Sequence, residues 1–253
     1  EVLTTRASVG VCDVTTLGKI DIQGPDAAAF LDRVYSNMIS TVKVGRARYG
    51  LMLREDGFVM DDGTAARLGD NHYLMTTTTA NAVSVFRHME ICRQVLWPQM
   101  DVNLISVTDQ WAQYAVAGPN SRRVLEQLVD APFDISNEAF AYMAATPLTI
   151  CGGINARLFR LSFSGELAYE IAVPARYGDA LIRVLMDAGE AYGIAPYGTE
   201  ALGVMRLEKG HPAGNELNGT TTAGDLGLAK MVSAKKDCIG KVMSQRPGLA
   251  DES

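Results

Sequence analysis

The feature that most constrains the fold is a local unit that occurs twice: a strand, then Gly-Pro, then a helix. Ile20-Asp21-Ile22-Gln23-Gly24-Pro25-Asp26 leads into Ala27-Ala28-Ala29-Phe30-Leu31-Asp32-Arg33-Val34, and Tyr114-Ala115-Val116-Ala117-Gly118-Pro119-Asn120 leads into a segment from Ser121 to Leu128. Proline at the first helical position already has the required φ and lacks only an N–H that would be unpaired there. Phe30 with Val34, and Val124 with Leu128, give each helix an apolar stripe. Both copies continue alike. Arg46 to Ala66 reads as a strand hairpin turning near Glu55-Asp56-Gly57, with a further strand from Tyr73 to Thr76. Arg157 to Val173 reads as a hairpin turning at Ser164-Gly165-Glu166. A helix then follows each, from Asn81 to Cys92 with Val85, Met89 and Cys92 inward, and from Tyr177 to Glu190 with Leu181, Val184, Leu185 and Ala188 inward. The order strand–helix–strands–helix thus recurs after about a hundred residues, which predicts a duplicated α+β core. Period-2 strands in hairpins predict mainly antiparallel sheets. A ligand of such a pair is expected between the halves.

The remaining sequence closes this core. Thr199 is placed to cap a helix from Glu200 through Leu202, Met205 and Leu207 to Lys209, stopped by Gly210. Gly-rich polar loops run from His211 to Gly227, and the tail after Gln245 reads as a linker. The expected organisation is one domain over residues 1–245, with pseudo-repeats at about 7–100 and 101–195, a closing segment 196–245, and a linker 246–253. The 253 residues carry a net charge of −6 without a Lys/Arg-rich run, which argues against nucleic acid or an anionic membrane as partner. No apolar run reaches the ~18 residues of a membrane span. Glu1 rather than Met at the start, with no signal-peptide pattern after it, leads to the expectation of a piece of a longer or processed chain. Cys12, Cys92, Cys151 and Cys238 form no CxxC pair and read as free buried thiols of a reducing, cytoplasmic compartment. His72, His88 and His211 lack ligand spacing, so no metal site is expected.

The stretch richest in chemistry runs from Tyr49 to Asp62, with Asp61 and Asp62 ending an apolar strand, Phe58-Val59-Met60. Successive strand residues point to opposite faces, so one carboxylate can look into a pocket while the other meets water or caps the next turn. A carboxylate so placed can be raised in pKa by burial and lowered by a nearby donor, which suits general acid/base work on a nitrogen. A surface turn with two solvated acids is the plainer alternative.

A family resemblance enters on residues across the whole chain. Asp13-Val14, Gly24-Pro25, Gly57 with Met60-Asp61-Asp62, Phe163-Ser164-Gly165-Glu166 with Tyr169-Glu170-Ile171, Arg206-Leu207-Glu208, and Lys236-Asp237-Cys238-Ile239-Gly240-Lys241 stand in the order seen in the aminomethyltransferase (glycine-cleavage T-protein) superfamily. The resemblance runs from about Ala7 to about Met243. The stretch from Tyr197 to Glu216 resembles in particular the folate-binding region at the C-terminal end of sarcosine oxidase α subunits of the heterotetrameric bacterial type. The T-protein has an arginine four positions before its Arg-Leu-Glu, where this chain has Leu202, a departure that counts against the glycine-cleavage reaction. Asp237 and Ile239 break the Lys-Gly-Cys-Tyr-type motif of the folate proteins of iron–sulfur assembly, which leaves Cys238 a structural role.

The resemblance implies a tripartite cloverleaf fold with tetrahydrofolate in a central channel. A third lobe, a small β-barrel, is expected after this chain's C terminus and absent from it, and an NAD- and flavin-binding region before Glu1. Without a GxGxxG after an opening strand, flavin and NAD are expected only in those other parts. The implied reaction captures the one-carbon unit of an imine or iminium, made by oxidising sarcosine, as 5,10-methylene-tetrahydrofolate, leaving glycine. Other subunits of such an oxidase are the implied partners. By residue match, Asp62 is the catalytic carboxylate beside N10 of the folate, and Asp61 its outward neighbour. Glu170 matches the carboxylate that pairs with the donors of the pterin; a surface acid at a strand end is the plainer reading. Tyr49 matches a folate contact or is a core aromatic. Leu17 and Thr78 match pocket-lining positions, explained equally by packing and capping. Thr76 to Thr79 can instead cap a helix from Ala80, and Glu200 with Arg206 can form a solvated pair worth little. A folate-binding or assembly module without chemistry, or a glycine-cleavage aminomethyltransferase, is the alternative; a pure binder has no use for Asp62.

Overall fold

A computed structural model describes residues 1–249. In chain order its strands are β1 (Gly10–Asp13), β2 (Gly18–Gln23), β3 (Arg46–Leu53), β4 (Val59–Gly69), β5 (His72–Thr77), β6 (Asn103–Ser106), β7 (Trp111–Ala117), β8 (Ala145–Ile150), β9 (Ile154–Phe159), β10 (Ala168–Pro174) and β11 (Ala195–Pro196). The α-helices are α1 (Val2–Ala7), α2 (Ala27–Val34), α3 (Ala82–Ile91), α4 (Ser121–Glu126), α5 (Gly178–Gly189), α6 (Thr199–Lys209) and α7 (Lys241–Ser244). They divide into two compact units. One holds residues 17–107 with the described residues from 212 onward, and the other holds 1–16 with 108–211.

The first unit contains a five-stranded sheet of order β3-β4-β5-β2-β6, antiparallel throughout. The second contains a six-stranded sheet of order β11-β1-β7-β10-β9-β8. It is antiparallel except for the pairing of β1 with β11. The duplication is visible in both. The run β2-α2-β3-β4-β5-α3-β6 is matched by β7-α4-β8-β9-β10-α5-β11, and the two sheet orders agree element by element once β1 is set between β7 and β11. The α+β class and the largely antiparallel pairing agree with the sequence pattern. In space, however, the N-terminal residues join the second copy, because β1 supplies the hydrogen-bonding edge that β7 needs.

The Gly-Pro signals hold a different place than expected. Pro25 and Pro119 lie in turns rather than at the first helical positions. The Ala27 N–H bonds to the Gly24 carbonyl (3.1 Å), with Asp26 at φ −93°, ψ 5°. The Ser121 N–H bonds to the Gly118 carbonyl (3.0 Å), with Asn120 at φ −95°, ψ 3°. These are type I turns with proline in its favoured second position, and each helix starts one residue beyond the turn's third. The glycines are dictated by space as well as by φ. Gly24 (φ +141°) would bring a Cβ to 2.2 Å from the Asp101 carbonyl, and Gly118 (φ +118°) to 2.3 Å from that of Thr5.

Each sheet buries one face under its helices. In the first unit Ile20, Ile22, Phe30, Leu31, Tyr73 and Met89 meet in one core. In the second Val116, Val124, Tyr169, Ile171, Leu181 and Leu185 do the same. On the opposite face of the six-stranded sheet, Cys12, Ala117 and Ala168 pack against Tyr197, Ala201 and Met205 of the α6 region. The thiols are free. Cys12 and Cys92 are buried as expected, whereas Cys151 is exposed and Cys238 half-buried, because the turn carrying Cys151 lies beyond the end of β8. Of the expected linker, Arg246 donates to the Asp56 carbonyl within its own unit; residues 250–253 lie outside the described residues.

Candidate functional site

The hairpin of β3 and β4 sets the two adjacent carboxylates on opposite faces. Leu51 pairs with Asp62 and Met52 with Asp61. On the face of Asp62, Leu51, Leu53 and Val59 pack with Leu217 and Ala223, and Tyr49 lies at the margin of that cluster. Tyr49 stands two residues before Leu51, so it shares this face. Its hydroxyl donates to Asp62 Oδ2 at 2.7 Å. Asp62 is 8% exposed. Burial, and secondly the charge of Asp61, push its carboxyl up to about 6, against the Tyr49 hydrogen bond that favours the ionised form. The Tyr49 phenol is held well above its ordinary value, first by burial and then by Asp62, so it stays a neutral donor. The two residues thus set a buried ionisable carboxylate beside a neutral hydroxyl donor.

Asp61 points to the other face of β4. It is fully buried, a correction to its expected outward position. Its oxygens accept from the Thr78 N–H (3.0 Å), the Thr78 hydroxyl (2.6 Å) and the Asn81 amide (3.1 Å). Burial raises its pKa while these hydrogen bonds oppose the rise. Asp61 therefore ties β4 to the turn that opens α3. Thr78, matched to a pocket position in the sequence, is brought to Asp61. The hydroxyls from Thr76 to Thr79 do not begin a helix at Ala80: α3 starts at Ala82 after Asn81, and Thr76 pairs instead with Thr64 (2.9 Å). Leu17 is half-buried, and its carbonyl accepts from Lys19 Nζ at 3.0 Å. Lys19 is 1% exposed, a buried lysine that the strand pattern alone did not single out.

Glu170 belongs to the other unit. It sits within β10 opposite Ala115 of β7, half-buried and not at a strand end. It therefore does not fit the plainer reading as a surface acid. Its Oε2 accepts from the side-chain amide of Gln113. Gln113 is 1% exposed and escaped the sequence reading, where the only signal was a polar residue between Ala112 and Tyr114. Burial first, then the nearby Cys12 and Glu170, hold the Tyr197 phenol above its ordinary value. Among the described residues, no group of three or more His, Cys, Asp or Glu side chains is gathered as for a metal, and no helix is long and apolar enough to cross a membrane.

Comparison with known proteins agrees with this architecture. The family described as the GCVT N-terminal domain matches residues 1–236. The chain is 57% identical over 251 residues to the sarcosine oxidase subunit alpha of Rhizobium meliloti (strain 1021), covering 98% of this chain and 25% of that protein. It is 33% identical over 247 residues to an aminomethyltransferase of Streptomyces coelicolor, covering 95% of this chain and 63% of the relative. Among solved structures, glycine cleavage system aminomethyltransferase T from Bartonella henselae superposes with a TM-score of 0.82 at 26% identity, covering 96% of this chain and 63% of that chain. The chain thus spans a quarter of the length of this sarcosine oxidase relative and 63% of each of these two aminomethyltransferases.

Proposed function

The chain belongs to the GCVT N-terminal domain family, within the aminomethyltransferase superfamily, and from that premise we propose that it binds tetrahydrofolate and assists transfer of a one-carbon unit to it. The finer proposal is that it serves as the folate domain of a sarcosine oxidase α-like subunit. There the one-carbon donor is the imine or iminium left by sarcosine oxidation, with flavin, NAD and the other subunits supplied from outside this chain. The likeness to the Rhizobium meliloti subunit supports that choice. Leu202 in place of the T-protein arginine speaks against glycine cleavage.

The observation that carries the reading is Asp62: a carboxylate 8% exposed, held by Tyr49 and raised to about 6. An ordinary carboxylate near ~4 is a weak base at neutral pH. Raised to about 6, Asp62 is still mostly ionised at pH 7 yet binds a proton far better. When bound, tetrahydrofolate would supply nucleophilic nitrogens that take up the one-carbon unit. Asp62 would orient the nitrogen's proton and receive it as the new bond to carbon forms. Tyr49 would hold Asp62 Oδ2 and leave Oδ1 for that proton. Glu170 would accept from the row of donors on the pterin, a match of acceptor to donor that a carboxylate makes bidentately.

The test is the fate of the one-carbon unit in the oxidase assembled with its partner subunits. Asp62→Asn should bind folate within about tenfold of the wild type, because the shape is kept. Methylene-tetrahydrofolate formation should fall by ~10²–10⁴, with formaldehyde released in its place. An unchanged product partition in Asp62→Asn refutes the catalytic role and favours a binding module without chemistry.

A further inference from the structure

We infer that Gln113 is a positioning residue for Glu170, fixing the carboxylate that recognises the pterin; this rests on the folate reading above. Gln113 lies in β7, between β1 and β10 in the middle of the six-stranded sheet. Its main chain is pinned on the β1 side. The Gln113 N–H donates to the Thr15 hydroxyl (3.0 Å), and its carbonyl accepts from the Val14 N–H (3.0 Å) and from the Thr15 hydroxyl (3.3 Å). The Asp13 carboxylate closes the same turn by accepting from the Thr15 N–H at 2.8 Å. The side chain then reaches the other way. Glu170 pairs with Ala115, and Gln113 pairs with Ala172, so Gln113 and Glu170 are diagonal neighbours on one face.

The amide is used asymmetrically. Its nitrogen donates to Glu170, while its oxygen is buried without a hydrogen-bond partner. Leaving a buried acceptor unmade costs free energy that an apolar side chain of the same size would not incur. A glutamine retained only to fill the core has no reason to be polar here. The bond to Glu170 supplies one, and a neutral amide provides it without placing a second charge beside the carboxylate.

The duplication carries the point independently. Gln113 stands five residues before Gly118, and Lys19 stands five before Gly24. Lys19 too is 1% exposed and donates to the Leu17 carbonyl at 3.0 Å. Both copies therefore bury a long donor at the same register, and each donor holds a residue matched to the family's ligand pocket.

The experiment is a double-mutant cycle read by calorimetric titration of tetrahydrofolate into the purified chain, with the thermal midpoint of each variant recorded. Gln113→Met keeps the volume and removes the donor; it should weaken tetrahydrofolate about tenfold, the size of one hydrogen bond to a charged group. Glu170→Ala should weaken it further, and Gln113→Met should add nothing in that background. The 2-desamino analogue, which lacks one of the donors that Glu170 would accept, should be less sensitive to Gln113→Met than tetrahydrofolate is. Gln113→Asn keeps an amide one methylene too short and should behave as Gln113→Met, which preserves the test if the Met variant fails to fold. Equal losses from Gln113→Met with and without Glu170, or no loss where Glu170→Ala gives one, overturn the positioning role and leave the folate reading standing. Undiminished binding by Glu170→Ala overturns the role of Glu170 and this inference while folate binding stands, and no binding by the wild-type chain overturns the folate reading and this inference together.

Discussion

Replacing Asp62 by Asn should stabilise the protein, and only above a definite pH. Asp62 is 8% exposed, and its carboxyl rises from 3.8 to about 6 on folding. Between those values the folded chain binds a proton at Asp62 that the unfolded chain has released. The unfolded state then holds fewer protons, so stability falls as pH rises through this window. Above about 6 both states are ionised, and the cost of keeping the charge buried is carried in full. Two pH units of difference correspond to at most ~3 kcal/mol. Part of the rise comes from Asp61, whose own carboxyl is raised, so ~1–3 kcal/mol is the expected range. Asn at position 62 never ionises and still offers Oδ1 to the Tyr49 hydroxyl. The assay is urea denaturation of both proteins at several pH values from 4 to 8. The difference between their unfolding free energies cancels every titrating group that does not couple to Asp62. It should be smallest near pH 4, grow through pH 6, and level at ~1–3 kcal/mol in favour of Asp62→Asn. A difference that does not vary with pH would refute the burial argument, and with it the raised basicity on which the catalytic proposal stands. A stabilised variant with impaired chemistry would be the expected exchange of stability for function.

Two further predictions concern the frame. Asp61→Ala should cost ~2–4 kcal/mol in denaturation, because it strands the Thr78 N–H and leaves the Asn81 amide only its bond to the Met60 carbonyl; a loss under ~1 kcal/mol would show that these donors reach water. Gly118→Ala should lose at least ~3 kcal/mol, since its Cβ would meet the Thr5 and Ser8 carbonyls at 2.3 and 2.4 Å, whereas Gly152→Ala, with a positive φ but nothing within 4 Å, should lose only about 1. Equal melting temperatures for the two variants would contradict the close-approach argument.

The sequence by itself determined the elements and their duplication. Strand alternation, the two Gly-Pro turns and the spacing of apolar residues are local properties, so the run strand–helix–strands–helix could be read twice along the chain. The same alternation put Asp61 and Asp62 on opposite faces, and residue matching picked out Tyr49 and Glu170. What lay out of reach depended on residues far apart in the chain. The insertion of β1 between β7 and β11 pairs Gly10–Asp13 with residues about a hundred positions on and Gly10 and Val11 with residues about 185 on, and no local pattern encodes a partner at such distances. The strands β6 and β8 escaped because β6 has only four residues and β8 contains Pro147, a residue that weakens a strand reading yet is tolerated at the sheet edge where β8 lies. Alternation told which way Asp61 turned but not what it would meet, and only the packing of the turn before α3 made that face dry. Gln113 and Lys19 looked like ordinary polar residues in strands. Whether such a side chain is solvated or buried depends on what covers the sheet, and tertiary structure decides that, because burial is a property of neighbours and not of the residue itself.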